Sequence, residues 1–205
     1  MYVPAHFVAP DDAVDQLLAA PGAVDLVSST AEGLTATTLP MVHDPVAGTL
    51  SGHLARSNPQ WRDTVGEVLV IVRGPDAYVS PGWYASKAEH GRVVPTWDYV
   101  LAHVHGTLVV HDDPGWLAAH VRRLTDTHEA GRETPWAVSD APERFVEGQL
   151  RAIVGVEVRI SRIEAKWKLS QNRPGADIDG VVAGLTAAGR PAAAAAVEAV
   201  RPRGK

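Results

Sequence analysis

Short runs of alternating apolar and polar residues fill most of the chain, and helical spacing takes over only in places. Ala23 to Thr30 (AVDLVSST), Leu34 to Val42 (LTATTLPMV) and Thr49 to Ala55 predict three strands. Turns are expected at Glu32-Gly33 and across His43-Asp-Pro-Val-Ala-Gly48. Glu67 to Arg73 (EVLVIVR) is almost continuously apolar, which predicts a strand buried on both faces. Gly74-Pro75-Asp76 then reads as a turn, with Ala77 to Ser80 returning. Thr96 to His111 predicts a long strand or hairpin arm. Val154, Val156, Val158 and Ile160 alternate cleanly, so Ile153 to Ile163 is another strand. Helical spacing appears at Asp11 to Ala20, Pro59 to Arg62, Pro114 to Ala130, Ala141 to Arg151, Asp177 to Ala188 and Pro191 to about Val200. The Pro114 helix is the strongest, with Trp116, Leu117, His120, Val121 and Leu124 in register. Pro81 to Arg92 reads as irregular.

The strands are not separated by regular helices, so a doubly wound parallel sheet is not expected. The pattern predicts an α+β fold: a β-barrel with peripheral helices and a C-terminal helical tail. One domain over residues 1–205 is expected, with a core over about 1–170, an extension over about 174–201, and a frayed end at RPRGK.

Composition narrows the setting. Hydrophobic residues make up 45% and charged residues 21%, the balance of a soluble globular protein. No apolar run reaches about 18 residues, so no membrane span is expected. The opening Met-Tyr-Val-Pro-Ala-His-Phe lacks the basic and apolar regions of a signal peptide. Cysteine is absent, which excludes disulfides and thiolate metal sites and fits a cytoplasmic protein. The net charge of −5 argues against a large nucleic-acid surface and leaves room for a local basic patch. Ala, Val, Gly and Arg in excess over Lys, Ile and Asn suggest a GC-rich bacterial genome.

Four stretches carry candidate chemistry. Ser51-Gly-His-Leu-Ala-Arg-Ser-Asn-Pro-Gln-Trp61 reads as a strand end, a tight loop and a first helical turn. Asn58 suits an N-cap and Pro59 the first helical position, with Arg56 two residues before the cap. Helix N–H groups and a guanidinium would converge there on an anion of phosphate size; an ordinary capped turn is the competing reading. Thr35, Thr37 and Thr38 add hydroxyls on the preceding strand. Trp83-Tyr84 and Val94-Pro-Thr-Trp-Asp-Tyr99 hold flat rings that suit an isoalloxazine or a base, or else a core or dimer contact. His103 and His105 share one strand face; a polar pocket or a partner subunit explains them as well as a metal, and no metal site is assigned. Lys166-Trp-Lys-Leu-Ser-Gln-Asn-Arg173 packs donors into what reads as a basic loop. No G-x-S-x-G, H-E-x-x-H, P-loop, G-x-G-x-x-G or helix-turn-helix pattern is present.

Read together, Met1-Tyr-Val-Pro-x-His-Phe7, Ser-Gly-His-Leu-Ala-Arg-Ser-Asn-Pro59, Val-Ser-Pro-Gly-Trp-Tyr84 with Lys87, Val-Pro-Thr-Trp-Asp-Tyr99, Val-His-Gly106 and Lys-Leu-Ser-Gln-Asn-Arg173 resemble the PaiB-type family of FMN-binding negative transcriptional regulators. The resemblance covers roughly residues 1–185. It implies an FMN-binding split β-barrel, related to pyridoxamine phosphate oxidases, and a homodimer with FMN at the interface. It places the FMN phosphate at the loop of Ser51, Gly52, His53, Ala55, Arg56 and Asn58, with Arg56 as charged contact and Thr37 and Thr38 beside it. Backbone around Leu39, Pro40 and His53 would edge the ring. Trp97, His103 and the Lys168, Gln171, Asn172, Arg173 segment would close the site. Asp98 stands where the family often has Asn, adding negative charge near a flavin. The resemblance implies a transcriptional regulator, with DNA as a possible partner. A flavin-dependent oxidoreductase of small molecules and a non-catalytic flavin- or haem-binding dimer are the alternatives.

Overall fold

The computed structural model describes residues 1–10 and 12–202. Asp11, the expected start of the first helix, and residues 203–205 of the expected frayed end lie outside them. In chain order the elements are α1 (Ala13–Ala19), β1 (Ala23–Thr30), β2 (Gly33–Pro40), β3 (Val42–Asp44), β4 (Thr49–Ala55), α2 (Gln60–Asp63), β5 (Val65–Val79), α3 (Ser86–His90), β6 (Thr96–His111), α4 (Pro114–Glu129), α5 (Glu143–Arg151), β7 (Ile153–Lys168), α6 (Gly175–Ala187) and α7 (Pro191–Ala199). The strands form one sheet in the order β2-β1-β5-β6-β7-β4-β3. β1 pairs antiparallel with β2 and β5, and β4 with β3 and β7. Leu26 stands opposite both Thr37 and Val70, and Ser51 opposite Glu157. The expected α+β fold is the one found.

Local chemistry accounts for the elements. Gly33 turns the β1–β2 hairpin at φ 118°, a conformation that strains any residue with a Cβ. Thr30 Oγ1 closes that turn on the Gly33 carbonyl at 3.0 Å. Asp113 caps α4 by accepting from the Trp116 backbone N–H at 2.7 Å, and Pro114 sits in the first helical turn.

Contacts divide the chain into two compact units. The first comprises Met1–Val14, Arg73–Ala102 and Glu164–Lys205; the second comprises Asp15–Val72 and His103–Ile163. The first unit buries Phe7, Val79, Tyr84, Val100, Trp167, Leu169, Ile178, Val181, Leu185 and Val197. Trp83 lies across α6 so closely that a Cβ on Gly184 would sit 2.2 Å from its ring. The second unit buries Leu18, Val24, Leu26, Leu39, Met41, Leu50, Leu54, Val68, Val70, Val72, Val104, Leu117, Val154, Val156 and Val158. Within it, β4 returns against the β2 end: a Cβ on Gly52 would meet Leu39 Cδ1 at 2.9 Å and the Pro40 carbonyl at 3.1 Å.

Several local expectations change. Gly74-Pro75-Asp76 is no turn; β5 runs through it to Val79. Turn propensity is a local preference, and here burial on either side overrides it. Burial falls on Val68, Val70 and Val72, then on Ala77 and Val79, so the buried face switches from even to odd positions across Gly74-Pro75. Leu69 and Ile71 are only half-buried, so the strand is not buried on both faces. β7 likewise continues five residues beyond Ile163, with burial moving from Val154, Val156 and Val158 to Trp167. Lys166-Trp-Lys is therefore strand rather than loop. Val42 belongs to a separate strand, the Pro81 to Arg92 stretch holds a 3-10 turn and α3, and α2 begins at Gln60.

At Gly106 a Cβ would lie 2.2 Å from the Arg159 carbonyl oxygen, a backbone atom that cannot rotate away. Gly106→Ala is expected to cost at least about 2 kcal/mol, read as a lower urea midpoint at an unchanged m-value.

Candidate functional site

As β4 leaves the sheet, the Arg56 backbone N–H bonds the Ala152 carbonyl at 2.8 Å. The Arg56 guanidinium makes four hydrogen bonds to protein. Nε donates to the Arg151 carbonyl at 2.9 Å, and Nη2 to the Ile153 carbonyl at 2.9 Å. Nη1 and Nη2 grip the two oxygens of Asp112 at 3.0 and 2.5 Å. The Arg56 hydrogen bond holds the Asp112 carboxyl below the usual carboxylate range, and the same bond raises the Arg56 pKa. A cleft of about 450 Å³ opens beside the pair, lined by Arg56, Asp112, Pro114, Leu117, Glu147, Leu150 and Arg151.

The rest of the loop differs from the expected anion cradle. Asn58 Oδ1 accepts from the Gln60 N–H at 2.9 Å and so occupies the first donor of the one-turn α2, but the N-cap position is Pro59 and not Asn58 as expected, because the helix starts one residue later. Its Nδ2 donates to Thr37 Oγ1 at 2.9 Å, and Thr37 in turn donates to Gln60 Oε1 at 2.5 Å. Gln60, 2% exposed, completes the cluster through the Leu26 carbonyl and Ser28 Oγ, each at 2.9 Å. Thr37 and Asn58 thus come together. Thr38 instead bonds the Asp25 carboxylate at 2.6 Å. Leu39 and Gly52 are buried against each other, and Ala55 is exposed at the strand end.

Ser51 and His53 face α4 rather than Arg56's cleft. His53 Nδ1 lies 3.2 Å from His120 Nε2. His120 stacks on Trp116 at 5.1 Å, and Trp116 stacks on His111 at 4.1 Å. Gly155 leaves room for that ring, since a Cβ there would stand 2.2 Å from Trp116. A crevice of about 190 Å³ beside them is lined in part by Ser51, His120, Arg123 and Glu157. Burial lowers the pKa of His53; burial, with the neighbouring His53, Arg123 and His111, lowers that of His120 to about 4. Sequence reasoning placed His120 in the helix register without assigning it a role. Its four-residue spacing from Trp116 was the available signal. His103 and His105 share a face as expected, ring centroids 6.4 Å apart.

In the first unit, Lys168 Nζ donates to the Thr96 hydroxyl at 2.7 Å and the Trp97 carbonyl at 2.6 Å. It stands 3.6 Å from Asp98, which is 0% exposed. Ser170, held at φ 64°, donates to the other Asp98 oxygen at 2.7 Å. Burial outweighs these contacts and raises the Asp98 pKa. Asp98 Oδ1 and Tyr84 Oη are buried without hydrogen-bond partners. Arg173 lies 4.6 Å over the Tyr84 ring. Gln171 folds back on its own segment, donating to the Trp167 carbonyl and accepting from the Leu169 N–H, and Asn172 is exposed. Trp97 is 51% exposed and packs edge-on to Tyr78.

Set beside known proteins, the chain falls into the α+β split-barrel class. It resembles the flavocytochrome Anf3 from Azotobacter vinelandii with a TM-score of 0.56 at 13% identity, over 81% of this chain and 68% of that one. Residues 1–162 match the family described as "Putative FMN-binding domain". An uncharacterized protein of Aspergillus fumigatus is 32% identical over 195 residues, 78% of this chain and 75% of the relative. The protease synthase and sporulation protein PAI 2 of Bacillus subtilis is 34% identical over 137 residues, 65% of this chain and 62% of that protein. The chain belongs to this PaiB-type FMN-binding family, and FMN is its cofactor. Each unit has side chains that suit part of such a group: in the second, Arg56 is a cation for a phosphate; in the first, Lys168 and Arg173 are cations and Trp97 offers a flat ring half open to solvent.

The titrating groups have opposite effects on stability. With a folded pKa of about 4 against 6.5, His120 leaves the unfolded chain to bind the proton first. Its contribution is intact above pH 6.5 and declines toward pH 4, by roughly 3 kcal/mol in all. Urea midpoints at about pH 7.5 and about pH 4.5 should show this drop, and His120→Gln should flatten it. Asp98 costs stability only where it is ionised, because burial raises its pKa. Asp98→Asn is therefore expected to raise the midpoint near pH 7.5, with the gain vanishing as pH falls through the carboxyl's raised pKa.

Proposed function

We propose that the protein is an FMN-binding repressor of transcription, working as a cytoplasmic homodimer with FMN at the subunit interface. The match of residues 1–162 to an FMN-binding family carries this reading. The name of the Bacillus subtilis relative points to genes of protease production and sporulation as the class controlled. In this reading Arg56, where the Ser51–Asn58 loop leaves β4, is the charged contact for the phosphate, in the cleft it shares with Asp112 and Arg151. Trp97, with Lys168, Gln171, Asn172 and Arg173, forms a second set of flavin contacts. The net charge of −5 leaves DNA binding to a local basic surface, so affinity should fall steeply with salt. Among the described residues no helix is long and apolar enough to cross a membrane.

The test begins with mass spectrometry of the ligand released from purified protein, followed by FMN titration. FMN is expected, and colourless protein that takes up no added FMN refutes the reading. A DNA gel shift at near-physiological salt that survives competitor DNA supports repression. FMN binding with anaerobic bleaching by NAD(P)H, and no such shift, would instead make the protein an oxidoreductase.

A further inference from the structure

The Arg56–Asp112 pair has the geometry of an arginine already holding an anion. We propose that Asp112 is an internal competitor for the cofactor's phosphate: it occupies the Arg56 fork in the absence of FMN and gives way when the phosphate arrives. The inference rests on the FMN-binding reading and adds to it a residue that sets affinity.

The guanidinium's bonds divide into two sets. The carbonyls of Arg151 and Ile153 hold Nε and one Nη2 hydrogen, each at 2.9 Å. Asp112 takes the remaining Nη2 hydrogen and one on Nη1. A guanidinium has five N–H groups, so one Nη1 hydrogen has no part in these four bonds. If Asp112 leaves, three N–H groups are available, and the carbonyls still fix the plane that presents them. A phosphate accepts such a fork with the same bidentate geometry as a carboxylate.

Asp112 is also placed to leave. Its side chain is 56% exposed, so water can take over its hydration with little desolvation cost. It has no duty in capping α4, because Asp113 already accepts from the Trp116 N–H. The cleft beside the pair has a second guanidinium, Arg151, which is 73% exposed and only loosely matched to Glu147 at 3.9 Å. A phosphate dianion replacing a carboxylate would thus meet an additional cation.

The test compares wild type with Asp112→Asn, titrating FMN, riboflavin and inorganic phosphate. Asparagine keeps the side chain's size and removes the competing charge. FMN should bind about two- to fivefold more tightly to the variant, the scale of a half-exposed ion pair. Riboflavin, which has no phosphate, should be unchanged, and the FMN gain should disappear in an Arg56→Lys background. Equal FMN affinities in the two proteins, or a riboflavin shift as large as the FMN shift, overturn the proposal. If neither protein binds flavin, the FMN reading itself fails. Phosphate then still decides the competition: stronger thermal protection of Asp112→Asn than of wild type supports it, and equal protection overturns it.

Discussion

Where β4 loses its ladder, a single planar cation takes over the work of the sheet. The Arg56 guanidinium bonds two carbonyls at the α5–β7 junction and a carboxylate on the link between β6 and α4. Four elements of the second unit thereby share one group. An arginine suits this position because its donors are rigidly forked, whereas a lysine could satisfy only part of the set. The two carbonyls would otherwise end in a cleft, where unpaired acceptors cost free energy. The path of the chain from Ala55 into α2, and with it the placing of Asn58 and Thr37, follows from that anchor.

Buried polar groups in this protein fall into two kinds. The Gln60 cluster is closed: its amide reaches Thr37, the Leu26 carbonyl and Ser28, and Thr64 bonds Ser28 in turn at 3.0 Å. A closed network of this kind fixes local geometry and leaves little free to react. The Asp98 group is open, with one carboxylate oxygen and the Tyr84 hydroxyl buried without a hydrogen bond. His120 is buried among other potential cations. Asp98, Tyr84 and His120 are groups whose protonation the fold has shifted, and such shifts concentrate where a protein does chemistry. Physical chemistry thus sets the neighbourhood of Asp98 apart from the threonine cluster.

Much of the fold was legible in the sequence because alternation is a local signal. β1, β4 and β6 lie where their patterns place them, and α4 ends within one residue of its expected limit. The two misread strands share one cause: β5 and β7 each contribute to two cores. Their buried faces change parity midway, and a window centred on the change shows no period at all. Gly74-Pro75 and the charged centre of β7 therefore read as breaks. The loop of the candidate site was legible as to residue type but not as to partners. Arg56 is legible as a candidate from its spacing, yet its side-chain bonds run to Asp112, Arg151 and Ile153, far away in sequence. No local pattern reports a contact across such separations.

The division of Arg56's bonds also bears on how a ligand could be felt by the protein. A conformational change requires a ligand to favour one arrangement over another by a difference in contacts. If the guanidinium were held only by Asp112, an incoming phosphate would draw the arginine away and loosen the β4–α2 loop. The two carbonyls prevent this, so the arginine is common to both arrangements and the carboxylate is the part that differs. Its release would act on the β6–α4 link alone, while Asp113 keeps α4 capped. Above that link α4 carries the Trp116–His120 stack over Gly155. A phosphate at Arg56 would therefore bias one connection next to a tightly packed helix and leave the sheet as it is.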